Sequence, residues 1–329
     1  MNKNSKKFLV IQTAFIGDAI LATSILEKLN SYFPENQIDY LVRKGNDSLF
    51  KEHPFIKNLY IWDKNKGKYK QLFKILKSVR KEKYDYIINL QRFATTGIFT
   101  VFSKAKVKIG FKKNPFSFLF NYSFNHEINN GKHEVERNQL LIENFTDNVY
   151  SKPKLYPLQS DYEKVEEHKK NDFICISPAS VWFTKQFPAS KWLDFINNLD
   201  EKYNVFLLGG PDDKLLCDEI KNQSINKKVE NLAGKLNLLQ SAALMKDSKM
   251  NYTNDSAPLH LASAMNANVT SVFCSTIPDF GFGPLSDNSK IVQIKEKLEC
   301  RPCGLHGKKE CPLAHFNCAM KIDINDLKF

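Results

Sequence analysis

An aspartate stands where the first apolar segment of the chain gives way to a helical pattern, in the stretch TAFIGDAILATSIL at 13–26. A dinucleotide-binding turn carries G-x-G-x-x-G and a P-loop carries G-x-x-x-x-G-K-[ST], but neither pattern is present and Gly17 stands alone. Asp18 can be the N-cap of the helix, or a general base at the carboxyl end of a strand. As a base it predicts that phosphate binds in the other half of the chain, because a carboxylate here repels anions.

A loop in the second half offers the chemistry that a diphosphate needs. The stretch SPASVWFTKQFPASKW at 177–192 follows an apolar strand and precedes a helical pattern. It carries Ser180, Thr184 and Lys185, and hydroxyl and ammonium groups at the carboxyl edge of a parallel sheet can hold phosphate oxygens. An ordinary surface loop explains the same residues about as well.

Two further strand-to-helix turns place polar groups at the same predicted edge. In LLGGPDD the glycines permit close backbone approach, and Asp212 can accept a hydrogen bond from a ribose hydroxyl or belong to a plain capped turn. In NDSAPLHLASA, Asp255 and Ser256 end a strand, and the N–H groups of the following helix can point at an anion. His260 lies one turn inside this helix, where a core histidine is the simpler interpretation.

Four cysteines near the end of the chain follow the spacing C-x2-C-x7-C-x6-C, with two histidines among them. Thiolates at this density can form a tetrahedral zinc site, although the longer gaps are uncommon in zinc fingers. Buried free thiols that fix a compact loop are the alternative. The odd total of seven cysteines favours reduced thiols over a disulfide framework. The four residues are Cys300, Cys303, Cys311 and Cys318.

The positive charge lies almost wholly in the first half of the chain. Residues 1–150 hold 25 Lys and Arg against 14 Asp and Glu, a net charge of +11, whereas residues 151–329 hold 23 against 22. Lysines cluster around a helical pattern at 64–83, and the aromatic stretch KKNPFSFLFNYSF lies beside more of them. A membrane surface or a phosphorylated lipid explains both features, and a solvated basic face explains the lysines alone. We expect no nucleic-acid partner, because no helix-turn-helix or RNA-binding signature is present.

The location of the protein follows from its apolar segments. No apolar run approaches the roughly 18 residues that a membrane span needs. The apolar core after the first lysines stops after four residues at Gln12, which indicates a strand and not a signal peptide. We therefore expect a cytoplasmic protein.

Short apolar strands alternate with helical segments through both halves, which predicts parallel sheets covered on both faces. A polar, proline-marked stretch at 146–164 is interpreted as a linker. It separates a domain at 1–150 from a domain at 151–329, each doubly wound, with a cleft between the carboxyl ends of the two sheets. The predicted strands are 8–13, 38–42, 59–62, 84–90, 106–111, 173–177, 205–210, 229–234, 250–255 and 269–274. The predicted helices are 18–32, 70–83, 135–145, 189–201, 212–223, 238–247 and 257–265.

Taken together, these segments resemble glycosyltransferase family 9, the heptosyltransferases of lipopolysaccharide core assembly. GDAILATSIL resembles the family's glycine–aspartate helix start, and KIGF followed by HEVERNQLL resembles its mid-chain segment. NDSAPLHLASAM resembles the family's aspartate–[ST]-glycine–x–x–histidine–leucine stretch, with Ala257 in place of the usual glycine. The cysteine-rich tail is most similar to the branch that adds the second heptose.

The resemblance implies the GT-B fold, in which two Rossmann-like domains face each other across a cleft. The acceptor then binds the domain at 1–150 and the nucleotide sugar binds the domain at 151–329. The resemblance makes Asp18 the catalytic base and gives Lys185 a catalytic role beside the leaving group. It implies diphosphate and nucleotide contacts at Ser180, Lys185, Asp255, Ser256 and His260, with Asp212 near the ribose.

The expected reaction is an inverting, metal-independent glycosyl transfer without a cofactor. The resemblance implies ADP-heptose as the donor and a lipopolysaccharide core or another anionic glycolipid as the acceptor, at the cytoplasmic face of the inner membrane. In the basic half, Arg92, Lys112 and Lys113 are the predicted acceptor-binding residues. The alternatives are a transferase of the same fold with a different nucleotide sugar, a sugar-nucleotide epimerase, and a non-catalytic module that binds anionic lipid.

Overall fold

The computed structural model describes residues 5–328 of the chain. The chain divides into two compact units, and the boundary falls between Tyr156 and Pro157, inside the stretch predicted as a linker. Across residues 5–328, no helix combines the length and the apolar character that a membrane crossing needs.

The first unit is an α/β domain built on one parallel sheet. Its elements are β1 (Lys7–Gln12), α1 (Ile16–Leu21), α2 (Thr23–Tyr32), β2 (Gln37–Arg43), β3 (Ile56–Trp62), α3 (Lys68–Glu82), β4 (Tyr86–Asn89), α4 (Ala94–Phe102), β5 (Val107–Phe111), β6 (Tyr122–Phe124) and α5 (Glu134–Gln139). The strand order is β3-β2-β1-β4-β5-β6, with every neighbouring pair parallel. Because β1 is central and covered on both faces, its residues from Phe8 to Ile11 are all buried, as their continuous apolar run predicts.

The second unit repeats this plan. Its elements are α6 (Gln159–Val165), β7 (Phe173–Ser177), α7 (Ala189–Asn197), β8 (Asn204–Leu207), α8 (Lys214–Gln223), β9 (Val229–Asn231), α9 (Leu238–Asp247), β10 (Asn251–Asn254), α10 (Ala257–Ala264), β11 (Val269–Phe273), β12 (Ser289–Gln293) and α11 (Asn317–Met320). The strand order β12-β11-β10-β7-β8-β9 is again parallel throughout and doubly wound. In each sheet the order reverses beside the central strand, which is where α/β sheets place ligands.

Each unit has its own apolar core. On one face of the first sheet, Leu72 and Val79 of α3 and Phe99 of α4 pack together against the strands. In the second unit, the tail of the chain returns to the core, where Phe316 and Cys318 at α11 are buried among the residues of the sheet and of α7.

The two parallel sheets confirm the predicted α/β class, and most element positions agree with the sequence pattern. The helix predicted at 18–32 is two helices that meet at Ala22. At this junction the hydroxyls of Thr23 and Ser24 donate to the carbonyls of Ile20 and Leu21, at 2.7 and 2.8 Å. Such back-bonding competes with the helical ladder and explains the break.

Five elements were not predicted, among them the short helix α11 near the end of the chain. The strands β6 and β12 lie at sheet edges, and three of the five residues of β12 are exposed, so neither has the apolar run of a central strand. The helix α6 begins inside the predicted linker. The helix α4 carries no charged residue, so it lacks the alternation of polar and apolar faces that marks a surface helix.

Candidate active site

Asp18 lies in the first turn of α1, directly after the carboxyl end of β1. The N-cap position belongs to Phe15 and has no side-chain capping bond, so the interpretation of Asp18 as the N-cap is wrong. The side chain of Asp18 is half-buried. Burial first, and the charge of Asp18 second, hold the pKa of Tyr40 well above its usual range. Tyr40 therefore stays protonated, and its hydroxyl donates to the carbonyl of Ala19 at 3.0 Å.

Lys185 and Asp255 form an ion pair across two loops of the second unit, with 2.8 Å between Nζ and Oδ2. Lys185 ends the short helical turn that follows β7, and Asp255 follows β10. Because β7 and β10 are paired and parallel, their carboxyl ends bring these loops together. The two side chains are only 15% and 8% exposed, so each charge is balanced mainly by the other.

Thr276 holds the carboxylate of Asp255 in place. Its hydroxyl donates to the same Oδ2 atom of Asp255, at 2.6 Å. Thr276 follows β11, which pairs with β10, so three neighbouring loops converge on one carboxylate. A carboxylate offers no favourable contact to a phosphate oxygen, and the geometry therefore suits Asp255 to orienting Lys185. No local motif in the sequence marks Thr276.

Asn254 holds the loop that carries Ser180 and Lys185. Its buried side chain donates from Nδ2 to the carbonyl of Pro178 at 2.8 Å, and its Oδ1 accepts from the backbone of Phe187 at 2.8 Å. The amide thus clamps both ends of the loop. An asparagine that ends a buried strand is the signal in the sequence, because a buried amide needs partners on both of its polar atoms.

The remaining predicted donor-binding residues lie on the same loops. The backbone of Ser180 donates to Gln186 Oε1 at 3.2 Å, and its side chain is half-buried. Ser256 is the N-cap residue of α10 and makes no side-chain capping bond, so its hydroxyl is not used to close the helix. His260 is buried on α10.

Thr184 is buried and its hydroxyl is used within the protein. Its Oγ1 atom accepts from the backbone of Lys308 at 2.7 Å and from the hydroxyl of Ser275 at 3.0 Å. Lys308 belongs to the cysteine-rich segment at 300–318. Thr184 therefore links that segment to the loop that bears Lys185. The geometry favours this structural role of Thr184 over the predicted contact with a donor.

Asp212 lies in the turn after β8, the strand that pairs with β7 on the other side from β10. Its side chain is exposed, whereas the adjacent Asp213 accepts from the backbone of Gly210 at 2.8 Å and closes the turn. Gly209 has no room for a side chain, because a Cβ there would lie 2.7 Å from the Asp213 side chain. The turn thus leaves Asp212 open at the carboxyl edge.

The four cysteines of the tail line one cavity of about 440 Å³, together with Lys308 and His315. Among residues 5–328, no three histidine, cysteine or acidic side chains are grouped closely enough in this arrangement to hold a metal ion, and the zinc alternative stays a prediction. Burial, followed by the neighbouring thiols, raises the pKa of Cys303, and it raises that of Cys318 to about 11. All four thiols are free, and Cys318 is buried whereas Cys300, Cys303 and Cys311 are half-buried.

The predicted acceptor-binding residues are exposed on the first unit. Arg92 follows β4 and lies over the ring of Phe93, with 5.5 Å between the guanidinium carbon and the ring centroid. Lys112 and Lys113 follow β5, which pairs with β4. All three therefore lie at the carboxyl edge of the same sheet that carries Asp18.

Comparison with known proteins identifies the family of this chain. The sequence model described as glycosyltransferase family 9 (heptosyltransferase) matches residues 72–314. Lipopolysaccharide heptosyltransferase 3 of Escherichia coli is 28% identical over 279 residues, which are 79% of this chain and 80% of the relative. Lipooligosaccharide heptosyltransferase 2 of Campylobacter jejuni is 26% identical over 325 residues, which are 95% and 93% of the two chains.

Solved structures agree on the fold. The structure of Escherichia coli ADP-heptose lipopolysaccharide heptosyltransferase II matches with a TM-score of 0.76 at 21% identity, over 90% of this chain and 95% of that chain. A family 9 glycosyltransferase from Veillonella parvula matches with a TM-score of 0.78 at 20% identity, over 87% and 85% of the two chains. The fold is of the GT-B type, as the resemblance implied. The family match covers more than half of the chain, and the protein belongs to glycosyltransferase family 9.

Proposed function

We propose that this protein transfers a heptose, with inversion at the anomeric carbon, from ADP-heptose to a lipopolysaccharide core or another anionic glycolipid. The observation that carries this proposal is the oriented Lys185–Asp255 pair beside the start of α10, at the carboxyl edge of the second sheet. The relatives support the sugar and the acceptor, since they are lipopolysaccharide and lipooligosaccharide heptosyltransferases. One related structure from Escherichia coli is a heptosyltransferase with ADP, which supports the nucleotide.

In the proposed reaction, Asp18 takes the proton from an acceptor hydroxyl. The oxygen then forms a bond to the anomeric carbon of the donor from the face opposite the diphosphate. The bond from that carbon to the diphosphate oxygen breaks, and its electron pair leaves with ADP. A single displacement of this kind inverts the anomeric centre.

The departing diphosphate carries the negative charge that the second unit must stabilise. We propose that Lys185 donates to its oxygens, with Ser180, Ser256 and the N–H groups at the start of α10 as further donors. Asp255 acts as a positioning residue for Lys185, His260 lies beside the diphosphate, and Asp212 accepts from the ribose. The proposal is metal-independent, because the sequence contains no Asp-x-Asp pair of the kind that holds a divalent ion.

The acceptor side of the reaction belongs to the first unit in this proposal. Arg92, Lys112 and Lys113 lie exposed at the sheet edge that carries Asp18, and their charges suit the phosphates of a core saccharide. An acceptor anchored in lipid also requires the enzyme to work at a membrane. We therefore propose a cytoplasmic protein that is peripheral to the inner membrane.

The variant Asp18→Asn tests the assignment of the base. Transfer from ADP-heptose should fall by about 10²–10⁴-fold, because proton removal in the transition state is lost. The Kd for ADP should stay within about twofold, because Asp18 lies in the other unit from the diphosphate site. The matched control is Glu52→Gln, which removes an exposed carboxylate of the same unit.

Normal turnover in Asp18→Asn would remove Asp18 as the base. A panel of nucleotide sugars identifies the donor, and a preference for another sugar or base would overturn the assignment of ADP-heptose. Conversion of the donor without any acceptor would indicate epimerisation. Full activity in excess EDTA is expected, and activity that EDTA abolishes and magnesium restores would overturn the metal-independent mechanism.

A further inference from the structure

The outer face of α4 is apolar although it meets solvent. Ala94–Phe102 contains no charged residue. One side of the helix is buried through Phe99, which packs in the core with α3. The opposite side exposes Ile98 and Phe102, at 43% and 58%, and Phe93 before the helix is 54% exposed. A helix whose solvent-facing side is apolar is normally covered by protein or lipid.

The neighbours of α4 extend this apolar face. The helix α3 contacts α4 and exposes Tyr69 and Phe73, one turn apart, at 71% and 69%. On the other side, Gly97 of α4 lies against Phe116, whose ring stacks on that of Phe118. Phe118 is itself 77% exposed. We call these residues the α3–α4 surface: Tyr69, Phe73, Phe93, Ile98, Phe102 and Phe118.

Positive charge surrounds this surface, and acidic residues are missing from it. The segments at 64–81 and 86–126 contain no aspartate or glutamate, and they include α4 and all of α3 except its last residue, Glu82. Exposed lysines flank the aromatic residues of α3 on both sides, and more follow α4 and β5. These flanking lysines are Lys70, Lys74, Lys77, Lys81, Lys104, Lys112 and Lys113.

We infer that the α3–α4 surface docks on an anionic lipid bilayer, with its apolar side chains among the acyl chains and its lysines among the headgroups. The exposed aromatic side chains suit the acyl chains of a bilayer, and the lysines around them suit its anionic headgroups. A second copy of the chain fits less well, because two faces of the same positive charge would repel each other. The inference rests on the proposed membrane location and identifies the surface responsible for it.

The position of the surface suits this role. The helix α4 starts after the carboxyl end of β4, and α1 with Asp18 starts after the carboxyl end of β1, the neighbouring strand. Docking through the α3–α4 surface therefore brings the edge that carries Asp18 close to the headgroups, where a lipid-anchored acceptor presents its saccharide.

Vesicle flotation with the full chain tests the inference. Vesicles of phosphatidylglycerol and phosphatidylethanolamine, which hold no saccharide acceptor, should bind the protein, and vesicles of phosphatidylcholine alone should bind it far more weakly. Lys70→Gln/Lys74→Gln should weaken binding to the anionic vesicles about 25-fold, at about fivefold for each lysine. Ile98→Ser/Phe102→Ser should weaken binding to a similar or greater degree.

Two control variants lie in the second unit. Leu215→Ser removes an 82% exposed apolar side chain, and Lys297→Gln/Lys309→Gln removes two exposed charges. Both should bind vesicles as the parent protein does. Thermal unfolding of every variant checks that the first unit remains folded, and a less severe pair, Ile98→Thr/Phe102→Tyr, replaces the serine pair if it does not.

Transfer to a detergent-solubilised acceptor should be unchanged in the α3–α4 variants, which separates docking from catalysis. Equal binding of these variants and the parent to anionic vesicles would overturn the inference, and so would equal binding of the parent to neutral vesicles. A dimer of the parent that Ile98→Ser/Phe102→Ser dissociates would overturn it in favour of contact between copies. None of these results depends on whether Asp18 is the base.

Discussion

A largely buried ammonium needs a counter-charge, and Asp255 supplies it to Lys185 at 2.8 Å. Loss of one partner leaves the other charged in a desolvated position. Lys185→Met is therefore expected to lower the free energy of unfolding by about 3–5 kcal/mol. Lys185→Met/Asp255→Asn removes both charges and keeps the bond to Thr276, so it should recover most of that stability. Transfer should remain lost in both variants, because no cation remains for the diphosphate.

Urea unfolding and steady-state kinetics separate these two effects. Lys185→Arg serves as the control that keeps the charge, and it should retain stability and part of the activity. A double variant with parental stability and parental turnover would show that the pair is only structural. A double variant that is less stable than Lys185→Met would contradict the electrostatic account.

A second titratable residue, His53, should make the first unit sensitive to acid. Its buried ring lies edge-on to Phe55 and Tyr156, and its Nδ1 accepts from the backbone of Phe55 at 3.3 Å. Burial lowers the pKa of His53 to about 4. The unfolded chain takes up a proton on His53 near pH 6.5, whereas the folded chain takes it up only near pH 4. The neutral ring therefore contributes its full stabilisation above pH 6.5, and this stabilisation is lost as the pH falls from 6.5 to 4.

The expected loss is up to about 3 kcal/mol in the free energy of unfolding of the first unit. Urea titrations at several pH values across this range measure it. His53→Phe keeps an aromatic ring without the titrating group, and its stability should depend less steeply on pH. Equal slopes for the parent and His53→Phe would contradict the assignment.

At the scale of elements, the cysteine-rich segment acts as a brace for the donor loops. The guanidinium of Arg301 donates to the carbonyls of Cys274 and Thr276, both at 2.7 Å, and to Gln293 Oε1 at 2.8 Å. Thr276 in turn bonds to Asp255. The segment thus acts on the Lys185 site through the loop after β11.

Arg301→Met should leave these buried carbonyls without donors and destabilise the second unit by about 2–4 kcal/mol. The loop that carries Thr276 should loosen, so kcat should fall more than the KM for the donor rises. Hydrogen exchange should become faster in residues 274–276 and 300–308. Lys309→Met is the control for an exposed cation in the same segment. Unchanged exchange in Arg301→Met would contradict the bracing role.

The sequence predicted those parts of the structure whose local pattern is strong. The apolar runs of the central strands and the turns after them predicted the positions of Asp18, Lys185 and Asp255, because parallel strands present their carboxyl ends at one edge of the sheet. The partners that complete the site come from far along the chain. Thr276 and Arg301 have no local signal, since only the folded sheet brings Thr276 to Asp255 and Arg301 to the carbonyl of Thr276. The helix α4 escaped prediction because its exposed face is apolar.

At the scale of the whole molecule, the two units divide the charge. The chain carries +11 in residues 1–150 and almost none in residues 151–329. The two proposed substrates are both anionic, yet the cations that would bind them differ in their exposure to solvent. The acceptor would meet many exposed cations, whose fields are screened by salt. The donor would meet Lys185, which is largely buried and screened much less.

Salt should therefore act on the two Michaelis constants unequally. Raising sodium chloride from about 0.05 M to about 0.5 M shortens the screening length from more than 10 Å to less than 5 Å. The KM for a detergent-solubilised acceptor should rise several-fold, while the KM for ADP-heptose should change by less than about twofold. Arg92→Gln/Lys112→Gln/Lys113→Gln should show a high acceptor KM already at low salt and little further rise. A donor KM that rises as steeply as the acceptor KM would contradict this division of charge between the two units.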